Sequence, residues 1–314
     1  MSDPPKVFIT GATGLIGRAL AAALVERGDA VIALTRDTAK GTAALPAGVA
    51  IAEGDPTEAG DWQQRIDGCD VVVNLAGESI GGTRWNAMVR QRLLDSRVDG
   101  TRFVVEAIGA AARKPGVLVS ASGADYYPFG LLLPGETEED DAFDETAPNG
   151  DGFLPRLCRD WEAEAVRAEE HGVRVARMRT GLVLDDSGGA LPAMARPFKL
   201  FAGGKVGDGK QWVSWLDLDD AVGGYLHAID HASVTGPVNL VAGSLRQHDF
   251  ARALGRALHR PCWLPAPKFA IRWAVGPLSE YLLHGRNVVP AALRDTGYAF
   301  RYADIDAALG AIYG

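Results

Sequence analysis

Cysteine is scarce in this chain: Cys69, Cys158 and Cys262 are the only three in 314 residues. An odd count at such wide spacing excludes a disulfide scaffold and fits no short metal-ligand pattern. Three inert thiols and a reducing, cytoplasmic setting are the expectation. Histidine is also sparse, at six, with no His-Glu-x-x-His, no Cys-x-x-Cys and no Gly-x-Ser-x-Gly elbow. Zinc-site chemistry and the α/β-hydrolase type of nucleophile therefore lack sequence support. No uncharged apolar run reaches the roughly 20 residues of a membrane span. The polar start Met1–Lys6 runs straight into a strand-like segment, so no leader peptide is expected. Basic residues are outnumbered, 32 Lys and Arg against 40 Asp and Glu, for a net charge of −8. Phosphate affinity comes from clustered Lys and Arg, so the chain makes a poor general nucleic-acid binder, although a local basic groove is still allowed. Neither an internal repeat nor a low-complexity linker is present.

What is present is glycine, 38 residues, and a regular alternation of apolar runs with helical stretches. Val7–Ile9, Val31–Leu34, Val49–Ile51, Val71–Val73, Val117–Val119 and Val173–Met178 are the apolar runs. Helices are predicted over Leu15–Val25, closed by Gly28, over Trp85–Ala112 and over Leu157–Glu170. Strands apolar on both faces and separated by helices predict a parallel sheet buried between helical layers. The pattern covers residues 1–183, and a late strand near Val238–Val241 within 215–243 returns to it. Residues 184–214 and 244–314 are more irregular and are expected to form a smaller mixed α/β domain on the substrate side, acting as a lid.

The densest local signal is Gly11-Ala12-Thr13-Gly14-Leu15-Ile16-Gly17, which follows the first strand and opens the first helix. A Cβ at Gly11 would obstruct the tight turn, and one at Gly14 would keep a pyrophosphate from the backbone. Gly17 lets helix and strand pack closely, and the helix N-terminus presents N–H groups to phosphate. Strand, turn and helix in this order predict dinucleotide binding in a Rossmann-type, doubly wound α/β fold.

The Gly-x-x-Gly-x-x-Gly spacing, with Thr10 before it, resembles the short-chain dehydrogenase/reductase superfamily. Asn74-Leu75-Ala76-Gly77, Asp99-Gly100-Thr101 and Trp215-Leu216-Asp217-Leu218-Asp219-Asp220 are similar to segments of its extended, sugar-nucleotide-modifying branch. Glu78, Arg84-Trp85, Ser120-Ala121-Ser122, Tyr126-Tyr127, Cys158 with Trp161-Glu162, and Arg179–Leu184 sharpen the likeness to an atypical subgroup. That subgroup is labelled epimerase family protein or cell-division-inhibitor-like. Its members end in a short domain of unknown function, which Ala257–Pro261 and Gly297–Phe300 resemble.

The resemblance implies that Leu75, Ala76 and Gly77 turn beside a nicotinamide cofactor and that backbone at Leu182 and Val183 meets its amide. Glu78 and Arg84 follow the same turn at the carboxyl edge of the sheet, where open α/β sheets bind ligands. At the end of the second strand, Thr35 is neutral and Arg36 is a guanidinium, a pair suited to a 2′-phosphate and hence to NADP. Asp37 is the rival, as a ribose acceptor selecting NAD. Asp55 either accepts from the adenine amino group, as the resemblance implies, or caps the turn at Pro56-Thr57.

Most of the superfamily uses a Ser or Thr, a Tyr, and a Lys four residues after the Tyr. Tyr-x-x-x-Lys is absent here. Counting back from Glu162, the Tyr position falls near Leu154 and the Lys position on Cys158, which cannot supply a positive charge. Ser122 remains near the expected hydroxyl, and Tyr126 and Tyr127 follow it as candidates to relay a proton. Asp125 and Pro128 depart from the Gly-Tyr-Tyr-Gly form of the subgroup.

Lys205, Lys210, Gln211 and Trp212 around the glycine-rich loop 203–209, together with His284 and Arg286, are further substrate-side candidates. The acidic run 136–145 reads as a solvated loop over the site. Two functions follow. One is an NADP-dependent oxidoreductase or epimerase acting on a small hydroxylated molecule, nucleotide sugars included. The other is a low-turnover NADP(H)-binding sensor. The partner in either case is a small molecule, with neither nucleic acid nor membrane, and the protein is a monomer or homodimer.

Overall fold

A computed structural model describes residues 4–81, 83–128 and 142–314. Its main sheet is formed by β1 (Lys6–Thr10), β2 (Ala30–Thr35), β3 (Ala50–Glu53), β4 (Val71–Asn74) and β5 (Val117–Gly123), joined by two later strands. Ala142–Phe143 is β6, Arg174–Thr180 is β7, Leu182–Leu184 is β8, and Trp212–Asp217 is β9. Gly236–Leu240 is β10, Gly243–Arg246 is β11, and Asn287–Val288 is β12. The seven-stranded order is β10-β7-β5-β4-β1-β2-β3, parallel throughout. A second sheet has the order β11-β9-β8, and β6 pairs with β12. This is the doubly wound α/β fold expected from the alternation, with a small mixed sheet beside it.

The two-residue period of the strands divides the core cleanly. Val7, Ile9, Val31, Val71 and Val73 pack on one face of the sheet, while Phe8, Ile32, Val72 and Leu118 pack on the other. Both faces are dry, so each strand reads as a continuous apolar run rather than an alternating one. The first face is covered by α1 (Leu15–Arg27). Its last turn ends at Gly28, whose φ of 95° is the left-handed conformation that favours glycine. The N–H of Gly28 donates to Val25 O.

The other helices that matter are α2 (Thr38–Ala44), α3 (Ala87–Ala110), α4 (Phe153–Val166), α5 (Leu191–Lys199), α6 (Leu218–Asp230) and α7 (Gln247–Ala257). α3 starts after Trp85 because the Asn86 side chain accepts from Val89 N and caps it. α4 starts four residues before the predicted Leu157. Pro155 sits in the first turn, where its missing N–H has no intrahelical partner to lose.

The C-terminal segment is tied back to the sheet domain. The buried Asp220 carboxylate, on α6, accepts from the backbone N–H of Arg301 and Tyr302 and from the Tyr298 hydroxyl. A terminal helix, Ile305–Tyr313, adds Ala308 and Leu309 to the core beside Phe250 and Leu254 of α7. Residues 136–141 of the acidic run lie outside the described residues. Glu145, by contrast, is held in place: its Oε1 accepts from Asn239 N and Ala292 N. Among the described residues no helix is long and apolar enough to cross a membrane.

Candidate functional site

β1 and β4 are neighbours, with β2 and β3 running off to one side and β5, β7 and β10 to the other. Such a reversal opens a crevice at the carboxyl ends of the strands. The Gly11–Gly17 turn occupies it. Gly11 has φ +67°, and a Cβ there would lie 2.6 Å from the Leu75 carbonyl carbon. A Cβ on Gly17 would lie 2.3 Å from Gly11 O. Both glycines are thus required by packing alone. Gly14 differs: it is exposed, with Gly11 O at 3.2 Å from a virtual Cβ. Gly14 is also the N-cap of α1 and has no side chain to cap it, so the first-turn amides of the helix keep no side-chain acceptor. Thr13 is exposed beside it, and Leu15 and Ile16 are half-buried, Leu15 against Gly188 and Gly189. A bare helix N-terminus behind an open glycine turn fits a pyrophosphate.

At the end of β2 the side chains separate into bound and free. Asp37 caps α2, accepting from Lys40 N at 3.0 Å, and this bond holds its carboxyl below the usual range. The Thr35 hydroxyl bonds to the backbone of Asp37. Arg36 is left 78% exposed, its Nη1 4.0 Å from Asp55 Oδ2. Asp55 Oδ1 accepts from both the N–H and the hydroxyl of Thr57, the local turn-capping geometry. A 2′-phosphate would find Arg36 available and Asp37 engaged.

On the other side of β1, a buried polar chain pins the strand ends. The Thr10 hydroxyl donates to Asn74 Oδ1 at 2.6 Å, Asn74 Nδ2 donates to Thr101 Oγ1 at 2.8 Å, and Trp161 Nε1 donates to the same Thr101 oxygen. Ala76 N–H donates to Thr10 Oγ1. The Asn74 head therefore organises the turn from below. Ala76 is buried, Leu75 and Glu78 are half-buried, and Gly77 is exposed to the crevice. Glu78 pairs with Arg92 at 3.2 Å. Arg84 is exposed and lies against Gly276 of the C-terminal part. Leu182 and Val183 are half-buried on β8.

Beyond β5 lies a second, denser network. Ser122 Oγ donates to Glu162 Oε1 at 2.7 Å. Arg179 grips the same carboxylate through Nε and Nη2 at 2.8 and 2.9 Å. Its Nη1 donates to the Tyr127 hydroxyl at 2.8 Å, and that hydroxyl donates to Asn239 Oδ1 at 2.6 Å. Asn239 completes the chain by donating to Val289 O. Burial disfavours the Arg179 charge, but the Glu162 carboxylate outweighs it and holds the guanidinium above its ordinary pKa.

The two tyrosines are separated by this arrangement. Tyr127 is 0% exposed, and burial pushes its phenol up to about 12. Tyr126 is half-buried, with Arg179 Cζ 3.4 Å above its ring, and its hydroxyl meets no partner among the described residues. Cys158 is buried near Gly123, where burial and then the Asp125 and Glu162 charges push its thiol up to about 12. Arg179 is thus committed to Glu162 rather than to the open crevice.

Several further candidates make contacts within the fold. Gln211 Nε2 donates to Val206 O, Trp212 stacks under Arg246, and the 203–209 loop packs tightly on Leu264–Ala266. Lys205 lies within that packed loop and Lys210 follows it. His284 bonds to Glu280 O. Arg286 is buried, with Nη1 on Asp125 Oδ1 at 2.8 Å and Nε on Tyr127 O. Sequence reasoning used Glu162 only as a marker and passed over Asn239. Their partners are distant in sequence and no spacing announces them.

Comparison with known proteins agrees with this geometry. The profile of the NAD dependent epimerase/dehydratase family matches residues 7–242, and that of a domain of unknown function (DUF1731) matches residues 266–312. The epimerase family protein SDR39U1 homolog, chloroplastic, of Arabidopsis thaliana is 38% identical over 313 residues, covering 98% of this chain and 86% of its own. The crystal structure of human epimerase family protein SDR39U1 (isoform 2) with NADPH superposes with a TM-score of 0.86 at 32% identity, covering 98% and 99% of the two chains. A nucleoside-diphosphate sugar epimerase from Corynebacterium glutamicum has a TM-score of 0.77 at 33% identity; the match covers 99% of this chain and 59% of that longer one. With a matching profile over most of its length and relatives of this similarity along nearly all of it, the chain belongs to the NAD dependent epimerase/dehydratase family.

Proposed function

We propose that the protein binds NADP(H) across the crevice and uses it for oxidoreduction or epimerisation of a small hydroxylated substrate, with a nucleotide-linked sugar as the leading class. The observation that carries the cofactor half is the uncapped N-terminus of α1 behind the exposed Thr13–Gly14 turn, with Arg36 78% exposed at the end of β2 and only loosely paired, at 4.0 Å, with Asp55. The human relative solved with NADPH supports it, and the Corynebacterium relative supports the nucleotide-sugar class. When bound, the nicotinamide supplies the hydride donor or acceptor.

In this reading Gly11, Gly14 and Gly17 cradle the pyrophosphate, Thr13, Leu15 and Ile16 offer first-turn contacts, and Thr35, Arg36 and Asp55 line the adenosine end. Leu75–Glu78, Arg84, Leu182 and Val183 border the nicotinamide and substrate end. Ser122 Oγ, which donates to Glu162 in the absence of substrate, turns to donate to the substrate oxygen and holds it in place. Tyr126, with its hydroxyl unengaged, exchanges the substrate proton. Tyr127 is enclosed and positions Arg179.

A second reading, a low-turnover NADP(H) sensor, is favoured by one observation: the position usually held by Lys is Cys158, a thiol that stays neutral at physiological pH. Calorimetric titration with NADPH and NADH, followed by a panel of nucleotide sugars monitored by NADPH absorbance, decides between them. Turnover of any panel member removes the sensor reading. Tight NADPH binding with no turnover across the panel removes the enzyme reading for this substrate class. No binding of either nucleotide removes both.

A further inference from the structure

The guanidinium of Arg97, on α3, is buried beneath the Leu75–Glu78 turn. The residue is 8% exposed. Its Nη2 donates to Glu78 O at 3.0 Å, and its Nη1 to Leu93 O at 3.3 Å and Ser96 Oγ at 3.4 Å. Cζ lies 5.3 Å from the Trp161 ring centroid. Ser96 Oγ in turn accepts from Glu78 N–H at 3.1 Å, so two adjacent residues of α3 hold both polar groups of the Glu78 backbone. A Cβ on Gly77 would lie 3.1 Å from Arg97 Cζ, which places the cation directly behind a glycine whose other side is open to the crevice.

Among the described residues no carboxylate lies within ion-pair distance of Arg97, and the carboxylates around it are engaged elsewhere. Glu78 is paired with Arg92, Asp125 with Arg286, and Glu162 with Arg179 and Arg177. Cys158 carries no charge to offset it. Among the described residues Arg97 is therefore a buried cation with no carboxylate of its own; burial works against its charge, and low dielectric leaves that charge poorly screened.

The sheet order says which end of a dinucleotide meets that charge. With the pyrophosphate on α1, the adenosine lies toward Arg36 and Asp55, at the ends of β2 and β3. The nicotinamide half must then run the other way, over the ends of β4 and β5, past Gly77 and Ser122. The oxidised ring carries a positive charge and the reduced ring does not. We propose that Arg97 is a specificity-determining cation that makes the protein prefer NADPH over NADP⁺. The inference rests on the cofactor reading above and adds the preferred redox form.

The test measures dissociation constants for NADPH and NADP⁺ by calorimetry at one fixed salt concentration, on the full chain and on Arg97→Met and Arg97→Lys. Wild type should bind NADPH more tightly. Arg97→Met should shrink the NADP⁺-to-NADPH ratio of dissociation constants by roughly tenfold, and Arg97→Lys should keep most of it, because the charge remains while the fork on Glu78 is lost. Equal weakening of both forms in Arg97→Met, with an unchanged ratio, overturns the inference and leaves Arg97 as a brace for the turn. Should Arg97→Met fail to fold, the wild-type ratio and its retention in Arg97→Lys still decide. A wild-type ratio of one, or a ratio lost in Arg97→Lys, overturns the inference while leaving the cofactor reading intact. Binding of neither form overturns both.

Discussion

Arg179 and Glu162 face each other as a two-point fork, Nε to Oε1 at 2.8 Å and Nη2 to Oε2 at 2.9 Å, with both side chains only 3% exposed. The pair joins β7 to α4 and carries Ser122 on one side and Tyr127 on the other. A charge pair this deep is costly to leave half-made, because the remaining ion keeps its desolvation cost without its partner.

Removing one member should therefore destabilise strongly. Arg179→Met is expected to lower the unfolding free energy by about 3–5 kcal/mol, measured as a shift in the urea midpoint. A change under about 1 kcal/mol, the range of exposed pairs, would show that the fork is solvated in solution.

The glycines of the first turn should divide by function. Gly17→Ala puts a methyl 2.3 Å from Gly11 O and should destabilise the fold. Gly14→Ala meets only a 3.2 Å neighbour and points into the open turn. It should leave the melting temperature within a few degrees while weakening NADPH binding by at least about tenfold, since the methyl stands between phosphate and backbone. Undiminished binding by Gly14→Ala would place the pyrophosphate elsewhere.

Arg36→Ala should weaken NADPH binding far more than NADH binding, because only the former presents a 2′-phosphate to a guanidinium. A loss of roughly 10- to 100-fold for NADPH is expected, the range of one charge-assisted hydrogen-bonded pair. Calorimetry with both nucleotides checks it. Equal losses would return the selection to Asp37 or Asp55.

Asp217 offers a pH-dependent test. It caps α6, accepting from Asp219 and Asp220 N–H, and burial together with the neighbouring Asp220 raises its carboxyl to about 6. An unfolded Asp titrates near about 3.9. Between these values the folded chain holds a proton that the unfolded chain has released. The stabilisation is thus complete below about pH 4 and lost as pH rises through about 6. Asp217→Asn keeps an oxygen for the cap and removes the buried charge. It should exceed wild type in stability by roughly 1 kcal/mol at pH 8 and lose that advantage at pH 4. Thermal melts at both pH values read this out, and an advantage that does not change with pH would assign the effect to packing.

The central architecture was legible because it rests on short-range patterning. Apolar runs such as Val71–Val73, separated by helical stretches, determine a parallel sheet with two dry faces, since only that arrangement buries both sides of such strands. The glycine turn was legible for a related reason: its positions relative to strand and helix are local, and the close approaches at Gly11 and Gly17 follow from that geometry.

Beyond local pattern, the sequence of this chain determined the fold class, the placement of the glycine turn, and the absence of a Tyr-x-x-x-Lys pair. Only the tertiary structure decided which polar groups are free. It enclosed Tyr127 between Arg179 and Asn239, engaged Asp37 as a helix cap, left Arg36 and the Tyr126 hydroxyl open, and set Arg97 behind Gly77. These outcomes depend on contacts between residues as far apart as Tyr127 and Asn239, 112 positions along the chain. Whether a charge or hydroxyl is available depends on which partners satisfy it, and a buried polar group is satisfied by whatever the fold brings to it.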